Sequence, residues 1–285
     1  MSKDNRISRR HFIAATGAVA GGSLIHPDPG MAASFHQANI APKSSHIGME
    51  ILKNVYQVGG SLSGITYTTG DANYDDCNTY IMKTPKGLIM FDGGCGDTLD
   101  QIFGNMSYYG LHPSDIKACL ITHPHLDHAG AAHLLKKRGV SLYASKNTAD
   151  AIQAGDERCC GFLYHKEFTP CTVDHVVADG ETADVLGIKI KAMVLPGHTA
   201  GCTIFMFDHD GRQIVVSGDV IGTLLGGYFG WDGSIDFNKP AYIESLRRFA
   251  KLDFDVMLSG HGLICYHQPK RRIEEVLNQA LMQWR

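Results

Sequence analysis

The chain has 285 residues, 44% hydrophobic and 19% charged, enough for one large domain or two small ones around a real core. Its formal net charge of −3 gives no basic field to draw nucleic acid. Among 15 histidines, it is their placement that carries information. The first thirty or so residues read unlike the rest. A basic stretch (Lys3, Arg6, Arg9, Arg10) leads into an Ala- and Gly-rich apolar run, Phe12 to Ile25, too short to span a bilayer stably. Ala32 and Ala33 follow as a cleavage region, so residues 1–33 are expected to be a removable export signal rather than part of the fold. The stretch Ser8-Arg9-Arg10-His11-Phe12-Ile13 resembles the twin-arginine type. That implies delivery of the folded protein by the twin-arginine machinery to the periplasm or beyond. No Cys follows the apolar run, so no lipid anchor is expected. Residues 34–48 read as a linker, with His36 and His46 solvated.

From residue 49 to 285 strands and helices alternate without a break in composition, and one domain is expected. "NTYIMKT" (78–84) and "GLIMFDGG" (87–94) are β-rich runs joined at Pro85-Lys86-Gly87, a hairpin signal. A helix is expected around 97–109, then a buried strand in "DIKACLITH". "AGAAHLLKKRG" (129–139) reads as a helix with Leu134 and Leu135 inward, stopped by Gly139. "SLYAS" is a strand, and three more lie in 188–219, the last two joined at Asp210-Gly211. "YIESLRRFAKL" and the C-terminal "PKRRIEEVLNQALMQWR" are helices flanking a last strand in "DVMLSGHG". Two sheets packed together and covered by helices on both outer faces fit this α/β pattern. None of the eight cysteines sits in a CxxC pair, so no thiolate zinc knuckle is indicated. One loop disulfide among Cys159, Cys160 and Cys171 stays open.

The chemistry concentrates in "THPHLDHAG" (122–130). Three imidazoles crowded this closely repel one another when charged, and with a carboxylate among them they bury poorly unless a cation holds them. His123 and His125, two apart on an irregular loop, suit one metal ion; Asp127 and His128 suit a second. Three apolar strands then run into Gly and a metal-capable side chain: "LPGH" at His198, "VSGD" at Asp219 and "LSGH" at His261. Loops at strand ends on one sheet edge are where a scaffold can fix such groups.

This ordered set, HxHxDH, GH, GD, GH, resembles the metallo-β-lactamase superfamily of dinuclear hydrolases, over about residues 50–265. The resemblance implies a four-layer αββα sandwich and two zinc ions per chain, with iron or manganese as the other candidates. Carried over by position, His123, His125 and His198 hold metal one, Asp127, His128 and His261 hold metal two, and Asp219 bridges. Asp92 in "FDGG" matches a family aspartate that holds a ligand imidazole from behind. A hydroxide shared by the metals would attack a carbonyl, with Asp127 orienting it and His198, on metal one, as the other catalytic residue.

The substrate is expected to be a small lactone, ester or thioester. Asp219 resembles the bridging aspartate of glyoxalase II-type thioesterases and lactonases, whereas the histidine runs are similar to the histidine-only β-lactamases, so β-lactam hydrolysis is the alternative. A mono-iron persulfide dioxygenase is a more distant rival. A nuclease would want a basic groove, and a binding module would be expected to lack ligands that are all present here. Tyr228, Phe229 and Trp231, among glycines, are candidates for a substrate wall.

Overall fold

In the computed structural model, the apolar runs of the sequence are strands buried on both faces. Residues 49–62, 65–66, 76–221 and 232–284 are described. The expected export signal, the linker and the wall residues Tyr228, Phe229 and Trp231 all lie outside them.

The first strands are β1 (Met49–Leu52), β2 (Val55–Gly59), β3 (Ser61–Leu62), β4 (Ile65–Thr66), β5 (Thr79–Thr84) and β6 (Gly87–Phe91). Helix α1 (Leu99–Tyr108) precedes β7 (Ile116–Leu120). The one-turn α2 (Leu126–Ala129), α3 (Ala132–Lys137), β8 (Ser141–Ser145) and α4 (Lys146–Ala154) follow. Next come β9 (His175–Val177), β10 (Thr182–Val185), β11 (Ile188–Val194), β12 (Thr203–His209) and β13 (Arg212–Gly218). Helix α5 (Lys239–Phe249), β14 (Val256–Ser259) and α6 (Pro269–Gln283) close the chain.

Seven strands form one sheet in the order β1-β2-β5-β6-β7-β8-β9, and five form a second in the order β10-β11-β12-β13-β14. The three pairs from β1 to β6 are antiparallel, while β6, β7, β8 and β9 run parallel. In the second sheet only β13 and β14 are parallel. The β12–β13 hairpin turns at Asp210 (φ 49°) and Gly211 (φ 75°), the two positive values that a tight type I′ turn requires.

Side-chain parity along the strands builds the layers. On β6, Ile89 and Phe91 face the second sheet, while Leu88 and Met90 pack on the helical side. On β13, Ile214 and Val216 face inward while Val215 meets the other helical layer. One core joins the first sheet to Leu99, Ile102 and Met106 of α1, Leu135 of α3, and Ala151 and Ile152 of α4. A second lies between the sheets around Phe91, Phe205 and Phe207. The third joins the second sheet to Tyr242, Leu246 and Phe249 of α5 and Ile273, Val276 and Ala280 of α6. The molecule is therefore the four-layer αββα sandwich that the resemblance implied.

One local expectation is corrected. The helix expected over 129–139 is shorter, Ala132–Lys137, and Gly130 separates it from the one-turn helix Leu126–Ala129. A Cβ at Gly130 would collide with the carbonyls of Leu126 and Cys95, so the chain bends here and only glycine fits. Asp127 and His128 stand on the short helix α2, just beyond the irregular loop that carries His123 and His125. All eight cysteines are free thiols.

Candidate metal centre

Five strands deliver the candidate residues to one edge. Asp92 follows β6, His123 and His125 follow β7, and Asp219 and His261 follow the parallel pair β13 and β14. Strand β11, antiparallel to β12 like β13, ends short of His198 and so points the same way. The edge is fastened across the sheets. Asn78 donates from its backbone N to Gly260 O (2.7 Å) and from Nδ2 to the carbonyls of Ser259 (3.0 Å) and Gly262 (3.1 Å). The Tyr80 hydroxyl adds a 2.7 Å bond to Ser259 O. Together they clamp the loop that carries His261. Thr203 N donates to Thr122 O (2.9 Å), tying β12 to the histidine loop.

Within this edge His123, His125 and His198 form one triad and Asp127, His128 and His261 another, each with potential ligand atoms within 4.8 Å of one another. His198 Nε2 lies 3.2 Å from His125 Nδ1, and His128 Nε2 lies 3.3 Å from His261 Nε2. Asp127 Oδ2 is 3.0 Å from His261 Nε2. Asp219 stands between the triads. Its Oδ2 is 3.7 Å from His198 and 3.9 Å from His123 on one side and 3.4 Å from His261 on the other. Its Oδ1 is 3.4 Å from His128 Nε2. All seven residues are thus brought together.

Asp92 lies one layer behind. Its Oδ1 accepts from Thr122 N, and its Oδ2 accepts from the Thr122 hydroxyl and from His128 Nδ1, each at 2.8 Å. The Thr122 hydroxyl donates its only hydrogen to Asp92, so its oxygen accepts from His123 Nδ1 at 3.1 Å. Both imidazoles are thereby fixed with Nδ1–H turned away, so that Nε2 is the nitrogen each presents to the centre. Cys77, Asp92 and His128 also approach one another closely. With three donors already on Asp92, that group reads as a hydrogen-bond network.

Burial, reinforced by neighbouring imidazoles, holds His123 and His125 well below the ordinary histidine range, in the neutral form a metal needs. Burial works against charge on Asp127 and Asp219 too, yet His128 and His261 outweigh it and keep both carboxylates ionised. Burial likewise opposes charge on His261, but Asp219 and Asp127 push it up to about 10. Four cysteines surround the ligands without being poised to react. Burial pushes the thiols of Cys77, Cys160 and Cys202 up to about 12 and that of Cys95 higher still.

The donors fit metal ions. His123 Nε2 and Asp219 Oδ1 are buried without a hydrogen-bond partner, an arrangement that costs roughly 1–3 kcal/mol per group unless something else satisfies it. Ring nitrogens face each other in two places where a cation would turn repulsion into coordination.

Residues 72–261 match the model of the metallo-β-lactamase superfamily. The chain belongs to that family. A probable metallo-hydrolase, YqgX of Bacillus subtilis, is 26% identical over 65% of this chain and 84% of its own length. A hydroxyacylglutathione hydrolase, GloC of Haemophilus influenzae, is 28% identical over 58% of this chain and 77% of its own. An atrochrysone carboxyl ACP thioesterase of Aspergillus fumigatus is 26% identical over 73% of this chain, which spans 57% of that longer protein. Among solved structures, the metallo-β-lactamase GOB-18 of Elizabethkingia meningoseptica superposes with a TM-score of 0.64 at 22% identity, covering 83% of this chain and 90% of that one. The FEZ-1 enzyme of Legionella gormanii gives 0.63 at 24%, covering 81% and 92%. These two neighbours share the superfamily fold.

Proposed function

We propose that this metallo-β-lactamase superfamily member is a dinuclear zinc hydrolase acting on a small lactone, ester or thioester. The observation that carries the reading is Asp219, whose carboxylate lies within 4 Å of imidazole nitrogens from both triads. A carboxylate so placed offsets part of the repulsion between two dications and fixes their spacing. His123, His125 and His198 would hold one ion, and Asp127, His128 and His261 the other. Bound there, the ions supply water activation near neutral pH and Lewis-acid polarisation of the carbonyl and the leaving group. Asp127, kept ionised by His128 and His261, would orient the attacking water. Asp92 and Thr122 keep His128 and His123 from turning, and burial keeps the thiols of Cys77, Cys95, Cys160 and Cys202 protonated. A relative named as a thioesterase and another named as a hydroxyacylglutathione hydrolase support a thioester or ester in place of a β-lactam.

The test is a panel of thioester, lactone, phosphodiester and β-lactam substrates offered to zinc-loaded and chelator-stripped protein. Zinc-dependent turnover fastest on thioester or lactone is expected. Turnover on β-lactams alone would replace the substrate reading.

The export reading is also a proposal. It rests on Arg9-Arg10 and the apolar run that follows. Among the described residues no helix is long and apolar enough to cross a membrane.

A further inference from the structure

In the first triad, His125 contacts a residue outside the HxHxDH, GH, GD, GH set. His125 Nδ1 faces His198, and its other nitrogen, Nε2, lies 3.3 Å from Ser234 Oγ. Ser234 in turn donates its only proton to Asp236 Oδ1 at 2.6 Å, a short charge-assisted bond. With that proton committed, the Ser234 oxygen can only accept, so it takes the Nε2–H of His125. The Cys160 thiol borders the same hydroxyl. Asp236 Oδ2 meanwhile accepts from Ala200 N at 2.9 Å, two residues beyond His198. One carboxylate therefore reaches both the far side of His125 and the loop that carries His198.

We propose that Asp236 and Ser234 are positioning residues of the first metal site. They fix His125 as the Nε2–H tautomer, which frees its Nδ1 lone pair for the ion, and they hold the His198 loop at the matching distance. The arrangement repeats, with different residues, the Asp92–Thr122–His123 chain on the other side of the centre. Both use a hydroxyl as a one-way relay between a carboxylate and an imidazole. The proposal rests on the metal-centre reading and adds the source of the His125 tautomer.

The relay makes an unusual demand on variants. In Asp236→Asn the amide oxygen can still accept from Ala200 N, but its NH2 then donates to Ser234 Oγ. The serine proton swings to His125 Nε2 and selects the Nδ1–H tautomer, which has no lone pair for the metal. Ser234→Ala only removes a partner. Zn2+ affinity is measured by competition with a chromophoric chelator, and the first site is read from the visible spectrum of Co2+-loaded protein. Expected are a loss of about tenfold for Ser234→Ala and up to about 100-fold for Asp236→Asn, the range for partners that support a ligand. Ser234→Thr should restore wild-type affinity. The double variant should bind better than Asp236→Asn alone, because without the serine hydroxyl the wrong tautomer is no longer imposed. A merely structural Asp236 would make the double variant equal or worse, and that result overturns the proposal, as does wild-type affinity in Asp236→Asn. Wild-type protein that takes up no Zn2+ would instead sink the metal reading beneath it.

Discussion

Replacing Asp92 by Asn tests whether the buried carboxylate behind the centre is held by its charge. Asp92 is 1% exposed and sits at φ 54°, a left-handed conformation that Asn adopts as readily as Asp. The backbone therefore has no reason to object, and the hydrogen bonds decide the outcome. Three donors converge on its two oxygens at 2.8 Å: Thr122 N, the Thr122 hydroxyl and His128 Nδ1. In its better orientation the Asn amide keeps the last two but points its NH2 at Thr122 N–H. That leaves buried donors unmet at roughly 1–3 kcal/mol and weakens two charge-assisted bonds, about 3 kcal/mol in all. For a domain of this size that is a fall in melting temperature of roughly 6–12 °C. Calorimetry on chelator-treated wild type and Asp92→Asn measures it without interference from lost metal. Zinc affinity, measured separately, should fall by about 10- to 100-fold, because a neutral amide oxygen accepting from His128 Nδ1 no longer raises the basicity of that imidazole as the carboxylate did. A melting point within about 2 °C of wild type would refute the reasoning.

Three further outcomes are expected. A Cβ at Gly260 would overlap Asp219 Oδ1 and stand 2.9 Å from His128 Cε1; Gly260→Ala should therefore release zinc from the second triad while circular dichroism shows the fold retained. Phe91 is fully buried between the sheets, stacked 5.6 Å from Phe207. Phe91→Ala should cost about 3–5 kcal/mol in chemical denaturation, and a loss under about 1 kcal/mol would contradict the layer assignment. Lys at both Arg9 and Arg10 should trap the protein in the cytoplasm of its host, and an unchanged periplasmic yield in fractionation would end the export proposal.

Much of the architecture was legible because these strands carry apolar residues on both faces, a pattern that only a strand between two covering layers produces. The turn at Asp210-Gly211 announced itself because few residues accept its backbone. The site was legible where an apolar strand ran into Gly and then His or Asp, as at His198, Asp219 and His261. The edges of the sheets were harder. Strands β9 and β10 are short and half-exposed, and without burial on both faces their periodicity is weak. The helix α4 follows β8 with no intervening loop residues, so no turn signal separates them. The helpers of the metal centre gave no local signal at all. Asn78, Ser234 and Asp236 are ordinary polar residues in the sequence, and their roles exist only because distant segments meet. Thr122 lay inside the quoted motif, yet its role depends on Asp92 arriving from the neighbouring strand.

Metal content with and without the Asp219 carboxylate tests the central claim most directly. Wild type and Asp219→Ser are dialysed against zinc-replete buffer, and zinc per chain is measured by elemental analysis alongside the rate on the best ester or thioester. Two zinc ions are expected in wild type. In the variant the second should be lost or weakened and turnover should fall by at least ~10²-fold, the scale for losing support of a metal or one positioned catalytic group. A wild type that stays near one metal, or an Asp219→Ser variant that keeps two metals and a near-normal rate, would contradict a bridging role for Asp219.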